Sequence, residues 1–207
     1  MKQNFLISIF LPIILSTLIS IFFIPTVQNV SAIDSNLSNL PNSFFLWPTP
    51  GYSKITSDFG YREAPTTGAG TYHGGIDIAA PENTTILSIA NGTIIFAGWY
   101  GANGYTIIIE HSNNYQSIYG HISPNFLVSV GDTVKKGDII AKVGPKYIEK
   151  KSYTNYTDKT GKYTNGATTG PHLHFSITKD NKKINPKSFY NEQKWDFVVS
   201  YEKFLIT

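Results

Sequence analysis

The chain is predicted to be a mainly β domain placed behind an apolar amino-terminal segment, and three observations carry that prediction. Short runs rich in Ile, Val and Thr recur at spacings of roughly ten residues, each bounded by Gly, Asn or Pro. No apolar period of the helical kind is sustained for the length of a helix. The stretch between Lys2 and Asp34 carries no charge, and within it residues 5–27 are dominated by Ile, Leu and Phe.

Taken in chain order, residues 1–32 predict an exported protein. A basic start, an apolar run and the small residues Val30-Ser31-Ala32 have the layout of a secretory signal, with Pro25 where its helix should end. The apolar run is also long enough to span a bilayer uncleaved, so signal peptide and membrane anchor both stand. Residues 33–46 are a linker, polar and turn-rich from Ser35 to Asn42. Residues 47–190 form the folded domain and residues 191–207 a carboxy-terminal tail.

Within the domain, residues 85–90 and 93–97 are predicted strands joined at Asn91-Gly92, a dipeptide that favours hairpin turns. Further strands are expected at 105–110, 115–119, 139–143 and 174–178, with a compact turn unit at 130–138. Residues 145–169 hold five Lys, one Glu, one Asp and four Tyr with almost no aliphatic side chains, and predict a long surface loop.

Composition narrows the chemistry. The 207 residues contain no cysteine, which excludes a disulfide scaffold, thiolate zinc sites and a cysteine nucleophile. A net charge of +3 is too small to indicate nucleic acid as a partner. Without residues 1–32 the chain keeps 16 basic and 14 acidic residues, and that small excess sits in the 145–169 loop. A transition metal would have to be held by histidine and carboxylate, and there are five histidines.

Four of those histidines fall in three places. His73-Gly74-Gly75-Ile76-Asp77 sets an imidazole and a carboxylate four residues apart, and His172-Leu173-His174 sets two imidazoles two apart. Glycines and a β-branched residue oppose a helix at the first, and in extended chain an even separation puts both side chains on one face. Three ligands of this kind with one open position describe a catalytic zinc site. Histidines beside such a metal serve as base, acid or oxyanion partner. Each motif alone is a weak signal; their combination carries the inference. His111, at the end of an Ile-rich strand, is read as structural. Asp58, Arg62 and Glu63 fit either a groove wall or ordinary solvated loops, while Trp47, Trp99 and Tyr105 are read as packing residues.

Residues 55–62 (Ile-Thr-Ser-Asp-Phe-Gly-Tyr-Arg), 73–81 (His-Gly-Gly-Ile-Asp-Ile-Ala-Ala-Pro), 119–123 (Tyr-Gly-His-Ile-Ser) and 170–175 (Gly-Pro-His-Leu-His-Phe) together resemble the lysostaphin/LytM-type zinc metalloendopeptidases. The resemblance covers roughly residues 47–189, with residues 130–134 and 136–140 similar to the family's usual intervening segment. It implies an antiparallel β-sheet, a duplicated hybrid motif, as the floor of a groove walled by loops. It implies that His73, Asp77 and His174 bind Zn2+, and that His121 and His172 are the two catalytic histidines, with base and acid unassigned between them. The implied substrate is the peptide part of bacterial peptidoglycan, a cross-bridge or a stem peptide, hydrolysed by metal-activated water in the cell envelope or outside the cell. The 145–169 loop is longer than the family's usual connection.

Two other readings compete. A non-enzymatic relative, acting as an envelope scaffold or hydrolase activator, usually lacks one or more ligands, and none is missing here. A carrier-type hairpin, suggested by the turns near Lys135 and Lys136, fits an exported chain with four placed histidines poorly.

Overall fold

A computed structural model of the chain describes residues 45–66 and 68–190. The predicted signal or anchor, the linker up to residue 44 and the tail at 191–207 lie outside the described residues. Twelve strands and three short 3-10 turns are present, and no α-helix occurs among the described residues.

The strands are β1 (Ile55–Ser57), β2 (Gly60–Tyr61), β3 (Tyr72–His73), β4 (Ile76–Ile78), β5 (Thr85–Leu87) and β6 (Gly92–Trp99). They continue with β7 (Tyr105–His111), β8 (Tyr115–Gly120), β9 (Thr133–Val134), β10 (Ile139–Lys142), β11 (Leu173–Lys179) and β12 (Lys182–Ile184). Eight of them form one antiparallel sheet in the order β1-β4-β11-β8-β7-β6-β9, with β12 also paired to β11. β5 pairs with β10, and β2 with β3, as separate two-stranded ribbons.

Alternation within the strands divides packing from chemistry. In β11, Leu173, Phe175 and Ile177 are fully buried in the hydrophobic core, while His174 and Ser176 are displayed on the other face. In β4, Ile76 and Ile78 enter the same core and Asp77 points the other way. The core is dominated by isoleucine, which suits a pleated surface packed tightly on one side. Trp47 and Tyr105 belong to it, and Trp99 packs edge-on against Tyr105 with ring centroids 5.4 Å apart. These aromatics pack, as expected.

The expected hairpin at Asn91-Gly92 is not formed. β5 ends at Leu87 and pairs with β10, and β6 instead turns back through Gly101–Asn103 to pair with β7. A tight hairpin of that kind needs φ above zero at its central residues, and neither Asn91 nor Gly92 has it. Gly92 serves a close approach instead: a Cβ there would strike the Glu110 carbonyl and, at 2.7 Å, the His111 ring. Strand β9 lies inside the segment read as a turn unit, paired to the start of β6. The 145–169 segment contains no strand; isolated bridges join Tyr147 to Thr164 and Thr157 to Tyr163, and Thr154, Thr164, Asn165 and Thr168 within it are buried.

His111 is a fold residue. Its Nδ1 donates to the Asn91 carbonyl at 2.8 Å and its Nε2 lies 2.7 Å from Ser117 Oγ. Ser117 in turn bonds the Tyr119 hydroxyl, whose pKa burial raises to about 12. Burial lowers the His111 pKa, opposed by the Asn91 carbonyl. The unfolded chain therefore takes up this proton first as pH falls, so this contribution to stability is present above about pH 6.5 and is lost below it, toward the depressed folded value. Urea unfolding at pH 7.5 and pH 5.5 should show the loss, and the His111→Gln variant should show a smaller pH dependence than wild type.

Candidate metal centre and groove

Sheet register assembles the centre. His174 lies directly opposite Asp77 across the β4–β11 pair and opposite Gly120 across the β8–β11 pair. His73 ends β3, just before the turn into β4. Gly120 makes a close approach there: a Cβ would lie 3.0 Å from the Asn103 carbonyl and 3.4 Å from the His174 Cβ. The chain turns at the next residue, His121, which has a left-handed backbone.

Three ligand-type atoms converge. His73 Nε2 and His174 Nδ1 are 3.0 Å apart, and they lie 3.1 and 3.0 Å from Asp77 Oδ1. Tetrahedral zinc with bonds of about 2.0–2.1 Å holds its ligands about 3.3 Å apart, so this triangle is close to one face of such a polyhedron. The donor set of two imidazoles and a carboxylate, all three residues buried, suits zinc. The opposite side of each ligand is also held. His73 Nδ1 donates to the Asp58 carbonyl at 2.8 Å, and His174 Nε2 lies 3.0 Å from Ser176 Oγ. Asp77 Oδ2 accepts from Arg62 Nη1 at 3.1 Å, and the same guanidinium nitrogen donates to Ser57 Oγ. These contacts fix which nitrogen of each imidazole, and which carboxylate oxygen, faces the centre.

The electrostatics follow from burial and charge. Burial opposes ionisation of Asp77, which is 8% exposed, but its contacts with His172, His174 and His73 outweigh it and hold the carboxyl well below the usual range. Burial lowers the His174 pKa against the pull of Asp77. Burial, with His172 and His174 nearby, lowers that of His121 well below its ordinary value.

His121 and His172 flank the cluster, their ring centroids 4.7 Å apart. Each uses Nδ1 on a backbone carbonyl: His121 on Asn165 at 2.6 Å, His172 on Gly170 at 2.8 Å. A carbonyl only accepts, so both Nδ1 atoms carry hydrogen, and each neutral ring keeps its lone pair on Nε2. His172 Nε2 lies 3.5 Å from Asp77 Oδ1. His121 has φ +55°, a left-handed conformation that costs a non-glycine residue of the order of 1–3 kcal/mol and recurs at functional sites. Its N–H donates to Asn103 at 2.7 Å and its carbonyl accepts from Gly144 at 2.9 Å.

All five predicted site residues line or floor one groove of about 460 Å³, together with Ser57, Arg62, Glu63 and Tyr72 and, elsewhere on its rim, Asn103, Ala167 and Thr169. Arg62, left open between groove and solvent in the sequence, binds Asp77. Glu63 lines the groove. The Asp58 carboxylate instead pairs with Lys187 on the exposed surface at 2.9 Å, while its backbone orients His73. Ser176 and Asn165 were not foreseen. The signal for Ser176 was its position two residues beyond His174 on the same strand face; Asn165 had none.

Because Arg62 is the cation that holds Asp77 Oδ2, Arg62→Met should weaken Zn2+ binding about 10–100-fold. Competition against a chromogenic chelator measures this, and wild-type affinity in the variant would exclude the orienting role.

Residues 71–186 match the model of Peptidase family M23. DD-carboxypeptidase/endopeptidase Mpg of Neisseria meningitidis is 34% identical over 137 residues, 66% of this chain and 27% of that protein. Murein hydrolase activator NlpD of Salmonella typhimurium is 32% identical over 167 residues, 78% of this chain and 36% of that protein. The chain thus spans about a third or less of the length of these curated relatives. A zinc-containing peptidase from Vibrio cholerae superposes with a TM-score of 0.54 at 30% identity, covering 69% of this chain and 38% of that one. The catalytic domain of lysostaphin from Staphylococcus simulans gives 0.51 at 26%, covering 66% of this chain and 90% of that one.

Proposed function

Since the chain belongs to peptidase family M23, we propose that residues 47–190 form a zinc-dependent endopeptidase that hydrolyses peptide bonds of bacterial peptidoglycan in the cell envelope or outside the cell. The observation that carries this reading is the triangle of His73 Nε2, Asp77 Oδ1 and His174 Nδ1 on the floor of an open groove. Similarity to Mpg and to the Vibrio cholerae zinc peptidase supports the substrate class and the metal.

In this reading His73, Asp77 and His174 hold zinc. Bound zinc supplies Lewis acidity, polarising a scissile carbonyl and lowering the pKa of water to near 7. One of His121 and His172, each with Nδ1–H bonded to a carbonyl and Nε2 free to accept, takes the proton of the attacking water, and a proton passes from the pair to the leaving amine. Their imidazoles also donate hydrogen bonds to negative charge developing on the carbonyl oxygen once protonated. Arg62 keeps Asp77 aligned, and Asp58 and Ser176 keep the two ligand imidazoles turned inward. The groove leaves room for an extended peptide to lie across the sheet.

Purified protein should release soluble peptides from cell walls, lose that activity to a chelator and regain it with Zn2+. His174→Ala should abolish activity, and His121→Ala or His172→Ala should lower kcat by about 10²–10⁴-fold while retaining zinc. Less than about a tenth of an equivalent of zinc after gentle purification, against the full site expected of a structural or catalytic zinc ligand set, would overturn the reading.

The similarity to NlpD favours one second reading, a non-enzymatic activator of another hydrolase. Strains carrying wild-type protein and His121→Ala separate the two: an enzyme gives different cell-wall phenotypes, an activator the same one.

A further inference from the structure

The residue that holds His121 lies in the 145–169 segment, at the point where that segment rejoins the fold. Asn165 is fully buried, and each end of its side-chain amide meets a backbone partner. Oδ1 accepts from Tyr105 N–H at 2.9 Å, and Nδ2 donates to the Ile122 carbonyl at 2.9 Å. Its own N–H donates to the Lys146 carbonyl at 2.9 Å, which closes the neck of the loop. The remaining group, the Asn165 carbonyl, receives His121 Nδ1–H at 2.6 Å. The surroundings are shaped to this side chain: a Cβ at Gly104 or Gly144 would collide with Asn165.

We propose that Asn165 is a positioning residue for catalysis, its side-chain amide fixing the backbone carbonyl that sets the tautomer and orientation of His121. This rests on the proposed role of His121. Tyr105 and Ile122 stand at the start of β7 and just past β8, so the amide measures its carbonyl against the two strands that frame His121. An alanine there releases the carbonyl from both and leaves the buried Tyr105 N–H and Ile122 carbonyl without these partners. The Nδ1–H of His121 then loses its fixed acceptor. Asn165 touches none of His73, Asp77 or His174 in any hydrogen bond, so metal binding should not depend on it. Beyond the neck closed at Lys146 and Asn165 the loop packs on the fold through Tyr153 and Tyr156 against Trp99, so only its exposed lysines are separable.

The test uses the full zinc-loaded chain, with Asn165→Ala, the near-isosteric Asn165→Asp, which sets an acceptor against the Ile122 carbonyl, and a third, loop-tip variant combining Lys150→Ser, Lys151→Ser and Lys159→Ser, all three exposed. Wall digestion should show kcat lowered about 10–100-fold in both point variants, with KM within about twofold and zinc content unchanged. The loop-tip variant should keep wild-type kcat. Histidine 15N NMR provides a readout independent of activity: the protonated Nδ1 signature of His121 should persist in wild type and the loop-tip variant and be lost or averaged in the point variants. A folded Asn165→Ala protein that keeps both its His121 signature and its kcat overturns the proposal. So does a loop-tip variant as impaired as Asn165→Ala, which would place the effect in the loop as a whole. If wild type digests no wall substrate, the functional reading falls, and the NMR comparison alone decides whether Asn165 sets His121.

Discussion

Asp77 is a buried carboxylate on the groove face of β4, and much of the structure around it answers that one constraint. An ion taken out of water costs several kcal/mol unless paired and fully hydrogen-bonded. Here one oxygen is held by Arg62 and the other meets His73 and His174, with His172 at slightly longer range. Those partners come from the loop after β2, the end of β3, and β11 with the residue before it, so satisfying one charge draws three stretches of chain to β4. The same arrangement that makes the carboxylate tolerable in the interior gathers a His-Asp-His set able to hold a metal ion.

The metal centre and the flanking histidines are built by different means. His73, Asp77 and His174 depend on strand pairing, where register sets Cα positions and alternation sets direction. His121 and His172 depend on turns, a left-handed residue after β8 and a Gly-Pro entry to β11, and each is aimed by a backbone carbonyl. Strand pairing therefore fixes His73, Asp77 and His174, while the imidazoles of His121 and His172 are set by loop backbone. The 145–169 segment sits beside the groove on both kinds of contact: its tip packs on Trp99 through Tyr153 and Tyr156, and its closing residue Asn165 bonds His121.

The closeness of His73 to Asp77 and of His172 to His174 was legible in the sequence because it is a local property, whereas His121 was legible only through the resemblance. Neither pair lies on one extended run, however: a turn separates His73 on β3 from Asp77 on β4, and His172 precedes β11, so their convergence is set by the fold. The β-rich class and the strands at β7, β8, β10 and β11 were legible for the same reason, as their β-branched runs need no partner to be recognised. The pairing was not. Asn91-Gly92 looks like a hairpin turn from its composition, yet β5 pairs with β10, some fifty residues away, and Gly92 answers the close approach of Glu110 and His111. Short strands such as β9 and β12 have too few residues to show a pattern and form on the edges of β6 and β11, while β2 and β3 pair only with each other.

Local spacing and residue type thus determined the class of fold, the ligand chemistry and the motifs of the family, because each depends on neighbours within a few residues. Tertiary structure alone decided that Arg62 rather than Asp58 turns its side chain to the centre, that Ser176 backs His174, and that Asn165 holds His121 from forty-four positions further along the chain. The physical reason is burial: once removed from water, each polar group must find a partner wherever the fold places one. That partner is set by distance in space, which sequence spacing does not encode.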